Sequence, residues 1–160
     1  MGMAHHAVTT KIVDGDLPRS ADRNEVGVAV GILIDAQERF LMTSRPHGKV
    51  YAGYWEFPGG KLEANETVEQ ALRRELFEEL GVVIEHAIQW REELVDYPHA
   101  LVRLYFCRVF AWDGELQMRE GQHFTWAHFP VSVEPVLPGS VPVLEWLRSA
   151  PDLLVRPQGF

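Results

Sequence analysis

Short apolar runs separated by turn-forming residues dominate the first half of the chain. Residues 26–34 and 39–44 are rich in strand-forming side chains, and the polar sequence DAQE between them is typical of a turn. This pattern predicts a β-hairpin. A short aromatic strand is predicted at residues 54–57, and the Pro-Gly-Gly sequence that follows ends it, because proline has no backbone N–H for strand pairing.

One helix in the middle of the chain has clear start and stop signals. Thr67 is a favourable N-cap residue, Gln70 completes a capping box, and Gly81 is typical of the position after a helix ends. The apolar stripe of this helix recurs every four residues and consists of Leu72, Leu76 and Leu80. We expect that stripe to face a sheet.

Strands outnumber helices in the rest of the pattern. Residues 84–97, 101–112 and 123–129 are predicted strands, and a second helix is predicted at Val141–Ser149, with Ser140 as its N-cap. Since the strands and helices do not alternate strictly, we expect an α+β fold, in which helices pack on the faces of a mixed sheet.

The length of 160 residues indicates one domain, which we place at residues 25–160. Residues 1–24 are mostly polar without apolar periodicity, and we expect them to form a flexible leader. The single cysteine, Cys107, lies in an apolar stretch and is expected to be a buried side chain in a strand. With no possible internal disulfide and no apolar run long enough to span a bilayer, the sequence favours a cytoplasmic protein.

The formal charge of −8, from 15 basic and 23 acidic residues, excludes some classes of partner. Proteins that coat nucleic acid polymers or bind anionic membranes usually carry a basic surplus, so neither partner is expected. Small phosphorylated ligands remain possible, because a divalent metal ion can supply the positive charge.

Three carboxylates cluster on one side of the first predicted helix. At about 100° per residue, Glu75, Glu78 and Glu79 fall within an arc of roughly 100° beside the leucine stripe. Like charges at this spacing repel each other, whereas a hard divalent cation such as Mg²⁺ binds carboxylate and phosphate oxygens. A solvated acidic face is the alternative. The ordered glycines and the Arg74-Glu75 pair in the same segment favour a metal site.

Residues 60–82 resemble the Nudix box, G-x5-E-x7-R-E-U-x-E-E-x-G-U, where U is an aliphatic residue. The matching positions are Gly60, Glu66, Arg74, Glu75, Leu76, Glu78, Glu79, Gly81 and Val82. The sequence WEFPGGK at residues 55–61 is similar to the MutT branch of this family. The resemblance implies a Nudix fold, an α/β/α sandwich, and Mg²⁺-dependent hydrolysis of oxidised dGTP to nucleoside monophosphate and pyrophosphate. That activity would cleanse the nucleotide pool and limit mutation during DNA replication.

The resemblance also assigns roles within and just before the box. Glu75, Glu78 and Glu79 would be Mg²⁺ ligands, and Mn²⁺ is a possible substitute. The backbone carbonyl of Gly59 would be an extra ligand. Arg74 would orient Glu75, and the residues that support the box itself would be Gly60, Glu66 and Gly81.

Outside the box, Glu120 matches a metal-binding glutamate of the MutT branch, and Arg45 matches an arginine that contacts phosphate. Glu75 is our first choice for the general base and Glu120 the second. Apart from Arg45, we expect few basic residues around the phosphates.

Recognition of the base is less clearly indicated. The MutT branch reads its oxidised base with an asparagine near the last helix, and here Ser140 stands in that stretch. Its hydroxyl is expected to be engaged as an N-cap, which would leave one weak contact at most. Phe57 is a candidate for stacking on the base.

Two other functions stay open. The enzyme could act on another nucleoside diphosphate derivative, such as an ordinary dNTP, a nucleotide sugar or a dinucleotide. Alternatively, the domain could sense a nucleotide without turnover, although such a module would be expected to have lost box carboxylates. A monomer or weak homodimer is expected.

Overall fold

A five-stranded sheet with one helix on each face organises the molecule. The computed structural model describes residues 8–21 and 23–160. In that part of the chain the first strands are β1 (Val8–Ile12), β2 (Glu25–Leu33), β3 (Phe40–Ser44), β4 (Trp55–Glu56) and β5 (Gly59–Lys61). They are followed by α1 (Val68–Leu80), β6 (Val83–Ile84), β7 (Ile88–Asp96), β8 (Leu101–Val109), β9 (Trp112–Asp113), β10 (Phe124–Ala127) and α2 (Val141–Ser149). Short 3₁₀ turns lie at Pro138–Ser140 and Pro151–Leu154.

The main sheet has the strand order β1-β7-β8-β2-β5 and is mixed. β1 is parallel to β7 and β8 is parallel to β2, whereas β7 pairs antiparallel to β8 and β2 antiparallel to β5. A smaller antiparallel sheet has the order β10-β3-β4, and β6 pairs with β9. No helix in the described ranges is long and apolar enough to cross a membrane.

Alternation along β2 divides the apolar core in two. Ala29 and Leu33 are fully buried in one cluster with the predicted leucine stripe of α1. Ile32 is buried in the other cluster, which contains Val143 and Leu147 of α2. The helices therefore cover opposite faces of the sheet, and the predicted α/β/α sandwich is confirmed.

The first helix has the predicted caps. The Gln70 backbone N–H donates to Thr67 Oγ1 (3.1 Å), and the Thr67 N–H donates back to Gln70 Oε1 (2.9 Å). Gly81 closes the helix at φ 71°, a left-handed conformation that glycine adopts without steric cost.

The predicted hairpin between β2 and β3 is wrong. Asp35 does form the turn, but only Ile34 and Phe40 bridge the two segments. Both edges of β2 are already hydrogen-bonded, one to β8 and the other to β5, so β3 pairs with β10 and β4 instead.

The expected flexible leader contains a strand that its sequence pattern did not indicate. β1 pairs with residues 92–96 of β7, and all its side chains are exposed. A strand held by backbone pairing alone has no buried face and therefore no apolar periodicity. Arg19 and Arg23 form ion pairs with Asp96 at the end of β7, which ties the following segment to the domain. Residues 1–7 and 22, also part of the expected leader, lie outside the described residues.

Two other boundaries differ from the sequence prediction. Residues 84–97 are not one strand, because Glu85 to Ala87 separate β6 from β7, and the segment 101–112 is likewise divided between β8 and β9. Cys107 is buried in β8 as predicted, and burial raises the pKa of its thiol to about 12.

Candidate active site

Arg74 organises the acidic face of α1. Its guanidinium forms a two-point ion pair with Glu66 (Nε to Oε2 2.8 Å, Nη2 to Oε1 2.9 Å) and donates a further bond to Glu75 Oε1 (2.8 Å). The same Nη2 donates to the Lys61 carbonyl (2.9 Å). These contacts hold the pKa of Glu66 down at about 2, the main cause being the Arg74 hydrogen bonds. Arg74 therefore fixes Glu75 against the end of β5.

Two adjacent glycines allow close packing at this point, Gly60 against α1 and Gly59 against β2. A Cβ on Gly60 would overlap the carboxyl group of Glu75. A Cβ on Gly59 would overlap the carbonyl oxygen of Ala29, and its φ of 152° is itself unfavourable for other residues. The Glu75 carboxylate thus lies directly over the backbone of β5.

The loop that carries Glu120 is bonded to the last turn of α1. Arg119 donates through its side chain to the Phe77 carbonyl (2.9 Å) and through its backbone to the Glu79 carbonyl (3.2 Å). Gln122 Nε2 also donates to the Glu79 carbonyl (3.2 Å). The Glu79 carbonyl has no partner within the helix, whereas the Phe77 carbonyl also accepts the Gly81 N–H (3.0 Å). Together these bonds bring Glu120 to the box although it is 41 residues away from Glu79 along the chain.

Glu79 and Glu120 line one lobe of a cleft between the sheets. This acid lobe has a volume of about 410 Å³, and its walls also include Glu56, Gly59 and Phe106. Burial raises the pKa of Glu79 to about 8, and the negative charges of Glu75, Glu120 and Glu56 add to the rise. Glu75, although outside the lining of the lobe, is therefore near enough to repel the Glu79 charge.

Glu56 is an acidic residue of this lobe that the sequence interpretation missed. Burial raises its pKa, while the Arg45 ion pair (Nη1 to Oε2 2.9 Å) opposes the rise. An isolated acid between Trp55 and Phe57, two aromatic residues in a strand, was the available signal. Arg45 lies in the cleft as expected, but it is held by Glu56 and by the Val50 carbonyl (2.7 Å).

The basic residues around the lobe are more numerous than expected. Lys49 and Lys61 line it together with Arg45, and Lys49 Nζ lies 3.8 Å from Glu120 Oε2. The expectation of few cations beyond Arg45 is therefore wrong. These residues come from separate segments that the fold brings together, and they have no common motif in the sequence.

The other predicted site residues differ in their placement. The Glu78 side chain is 57% exposed and lies 3.5 Å from Arg74 Nη1, outside the lining of the acid lobe. Phe57 lines the lobe but is only 6% exposed and packs against Phe40, with ring centroids 6.0 Å apart.

Ser140 lines the acid lobe without capping α2. Its backbone is helical (φ −92°, ψ −17°) because the 3₁₀ turn leads directly into the helix, and its hydroxyl forms no cap hydrogen bond. The prediction that this hydroxyl is engaged as an N-cap is therefore wrong.

The donor chemistry of the lobe suits a hard divalent cation. No group of three acidic, histidine or cysteine side chains within residues 8–21 and 23–160 already converges as a metal cage. The glutamates are instead held by Arg74 and Arg45 or repel one another, as the raised pKa of Glu79 indicates. Oxygen donors and mutual repulsion both favour Mg²⁺-like ions.

A second lobe continues the cleft along the main sheet. It has a volume of about 590 Å³ and shares five lining residues with the acid lobe. These shared residues are Arg45, Tyr97, Leu104, Leu137 and Gly139. Its own walls include Lys11 of β1 and Glu93 of β7. Because the two lobes share walls, a ligand can extend from one into the other.

Comparison with known proteins agrees with this fold. The model of the NUDIX domain family matches residues 24–147. The 8-oxo-dGTP diphosphatase of Haemophilus influenzae is 40% identical over 105 residues, which are 66% of this chain and 77% of that protein. The CTP pyrophosphohydrolase of Escherichia coli is 34% identical over 120 residues, 72% of this chain and 87% of that protein.

A solved structure from work on MutT of Aliivibrio salmonicida and Vibrio cholerae shares the fold with a TM-score of 0.65. It is 30% identical and covers 79% of this chain and 98% of that chain. Fold, site and relatives together define a pyrophosphohydrolase. Enzymes of this class depend in general on divalent metal ions. The chain belongs to the Nudix family, with a complete Nudix box.

Proposed function

We propose that this enzyme hydrolyses 8-oxo-dGTP to 8-oxo-dGMP and pyrophosphate. The observation that carries the proposal is the acid lobe, in which Glu79 and Glu120 lie together next to a Glu75 that is fixed by Arg74. The 8-oxo-dGTP diphosphatase relative supports the choice of substrate. Such an activity removes a mutagenic precursor before DNA replication uses it.

The cation would be held by Glu75, Glu78, Glu79 and Glu120, with the Gly59 carbonyl as a further ligand. Mg²⁺ fits this oxygen donor set, and Mn²⁺ is a possible substitute. When bound, the ion neutralises phosphate charge and makes water easier to deprotonate. Movement of Glu78 toward the lobe would accompany binding, because its side chain now lies beside Arg74.

The protein groups would carry the proton and position the phosphates. Water attacks the β-phosphorus, the bond from that phosphorus to the α–β bridging oxygen breaks, and the monophosphate leaves with that oxygen. Glu75, which Arg74 holds in place, accepts the proton of the attacking water. Arg45 and Lys61, at the wall of the lobe, would bind the phosphate oxygens.

A pyrimidine triphosphate is the second candidate substrate. It is supported by the CTP pyrophosphohydrolase relative and by the stretch around Ser140, which lacks the asparagine of the MutT branch. The carboxylates of the box are the same for both candidates, so only the base contacts distinguish them.

The test is pyrophosphate release across a panel of 8-oxo-dGTP, dGTP, CTP, dCTP, a nucleotide sugar and a dinucleotide, with Mg²⁺ or with a chelator. We expect the highest kcat/KM for 8-oxo-dGTP and no turnover in chelator. A higher kcat/KM for CTP or a nucleotide sugar would overturn the substrate. Tight binding without turnover of any member would instead indicate a sensing module.

Two further expectations accompany this function. Because the substrate pool is cytoplasmic, we propose that the enzyme works there. We also propose a monomer or weak homodimer; sedimentation at two protein concentrations would distinguish them.

A further inference from the structure

Glu93 is a buried carboxylate outside the acid lobe, and it has no role in the proposed hydrolysis. Its residue is 8% exposed, and it lines the second lobe of the cleft. In the described part of the chain its carboxylate accepts no hydrogen bond, and no basic group lies within 4.0 Å of it. A buried carboxylate without a partner is costly, so a donor from a ligand would stabilise it.

Strand register places Glu93 on the face of the main sheet that forms the floor of the cleft. Glu93 of β7 lies opposite Leu104 of β8, Leu104 lies opposite Val28 of β2, and Val28 lies opposite Lys61 of β5. Directly paired residues point to the same face of a sheet. The row therefore runs from the second lobe to the acid lobe across three strand spacings, about 14 Å between the backbones of its ends.

That span suits one nucleotide. With phosphates at the Lys61 end, the sugar would pass over Leu104 and Val28, and the base would reach Glu93. Tyr97 lies at the junction of the lobes, where burial raises the pKa of its phenol and the nearby Glu93 and Tyr51 add to the rise. The Glu93 carboxylate is thus close to the aromatic side chain that faces both lobes.

The cationic groups of the second lobe leave this carboxylate unpaired. Lys11 and Arg45 both line the lobe, but neither forms an ion pair with Glu93. Arg45 donates instead to Glu56 through Nη1 and to the Val50 carbonyl through Nε. The strongest acceptor of the lobe is therefore available to a ligand donor.

We propose that Glu93 reads the substrate base by accepting hydrogen bonds from two adjacent donors, the N1–H and the N2 amino group of a guanine ring. The inference rests on the proposed function and adds the base contact. A carboxylate only accepts, and its two oxygens match two parallel N–H donors. Cytosine and adenine offer one amino group beside a ring acceptor, which would face the carboxylate unfavourably.

This contact selects guanine without sensing its oxidation. Oxidation at C8 leaves N1–H and the N2 amino group unchanged, so Glu93 would bind normal and oxidised guanine alike. The preference for oxidised dGTP must then come from the other edge of the ring, where Ser140 lines the acid lobe.

The test compares 8-oxo-dGTP with 8-oxo-dITP, which differs only in lacking the N2 amino group, in the wild type and in Glu93→Gln. We expect the wild type to favour 8-oxo-dGTP in kcat/KM by about ten- to a hundredfold, mainly through KM. In Glu93→Gln the ratio should fall below about threefold, because glutamine offers one acceptor and one mismatched donor. The value of kcat should stay within about threefold.

Glu92→Gln is the matched control, since it removes the same charge one residue earlier, on the opposite face, where Glu92 pairs with Arg103 (2.8 Å). The wild-type ratio should persist in this variant. An unchanged ratio in Glu93→Gln, or an equal loss for both nucleotides, would overturn the base contact while leaving the hydrolase intact.

If Glu93→Gln unfolds, the base contact is tested by equilibrium binding of 8-oxo-dGMP and 8-oxo-dIMP to the wild type. Equal affinities for the two nucleotides would overturn the contact. Failure of the wild type to hydrolyse any nucleotide would instead reject the proposed function.

Discussion

The two lobes of the cleft differ in how many carboxylates they hold and in what can stabilise them. In the acid lobe several carboxylates repel one another and are only partly balanced by arginines, so a cation stabilises them. The second lobe has mostly apolar walls and a single buried carboxylate, Glu93, which an uncharged N–H donor can satisfy. The difference indicates a division of labour: one lobe holds the reacting phosphates, and the other selects the group attached to them.

The largest expected effect is on the chemistry of the acid lobe. Glu75→Gln should lower kcat for every nucleotide by about 10²–10⁴-fold, because glutamine cannot accept the proton of the attacking water. The selectivity between bases should not change. Steady-state rates at saturating Mg²⁺ measure both quantities, and near wild-type turnover in this variant would remove Glu75 from the mechanism.

Arg74→Lys should have the next largest effect. Lysine keeps the charge but cannot bond Glu66 at two points and Glu75 at the same time, so Glu75 loses its fixed position. We expect activity or Mg²⁺ affinity to fall by about 10–100-fold. Arg73→Lys is the control, since Arg73 bonds Glu69 and the Ile84 carbonyl away from the lobe. Equal losses in the two variants would contradict a positioning role for Arg74.

Glu79→Gln should stabilise the metal-free protein at alkaline pH. The folded pKa of Glu79, about 8, lies above the ordinary value of 4.5, so folding loses stability as pH rises between these values. Because glutamine does not ionise, the variant should have a higher free energy of unfolding than the wild type at pH 9, by about 1–2 kcal/mol. Denaturant unfolding in chelator at pH 5 and pH 9 measures it. A gain equally large at pH 5 would contradict the buried charge as its cause.

The smallest effect concerns Ser140, at the edge of the acid lobe. Since its hydroxyl forms no cap bond, Ser140→Ala should change the free energy of unfolding by less than about 0.5 kcal/mol. Thr67→Ala, which removes a real cap, should cost about 1 kcal/mol. Equal costs, measured by denaturant unfolding, would show that the two hydroxyls act alike.

The two lobes also differ in how far the sequence alone indicates them. Three of the proposed cation ligands, Glu75, Glu78 and Glu79, come from one continuous segment, in which a capped helix follows two glycines. Glu120 could be indicated only by family resemblance, because the loop that carries it is held by bonds to helix carbonyls. Glu56 was missed, since its burial depends on a cleft formed by distant segments.

The second lobe could not be predicted because its walls are far apart in the chain. β1, β7 and the turn at Pro138–Ser140 meet only through strand pairing, and neither β1 nor Glu93 has a distinctive local pattern. Backbone pairing also explains why the predicted hairpin is wrong. The turn at Asp35 looked like a hairpin, but the edges of β2 were taken by strands that come later in the sequence.

The most direct test of the acid lobe as the phosphate site is the binding of an α,β-methylene analogue of 8-oxo-dGTP, which resists cleavage. Its affinity is measured with Mg²⁺ and with chelator. A protein of net charge −8 with an acidic lobe should repel the bare triphosphate, so we expect affinity to fall at least tenfold in chelator. The uncharged nucleoside should bind equally in both conditions. Equal affinity for the triphosphate analogue with and without Mg²⁺ would contradict the assignment of the acid lobe as its phosphate site.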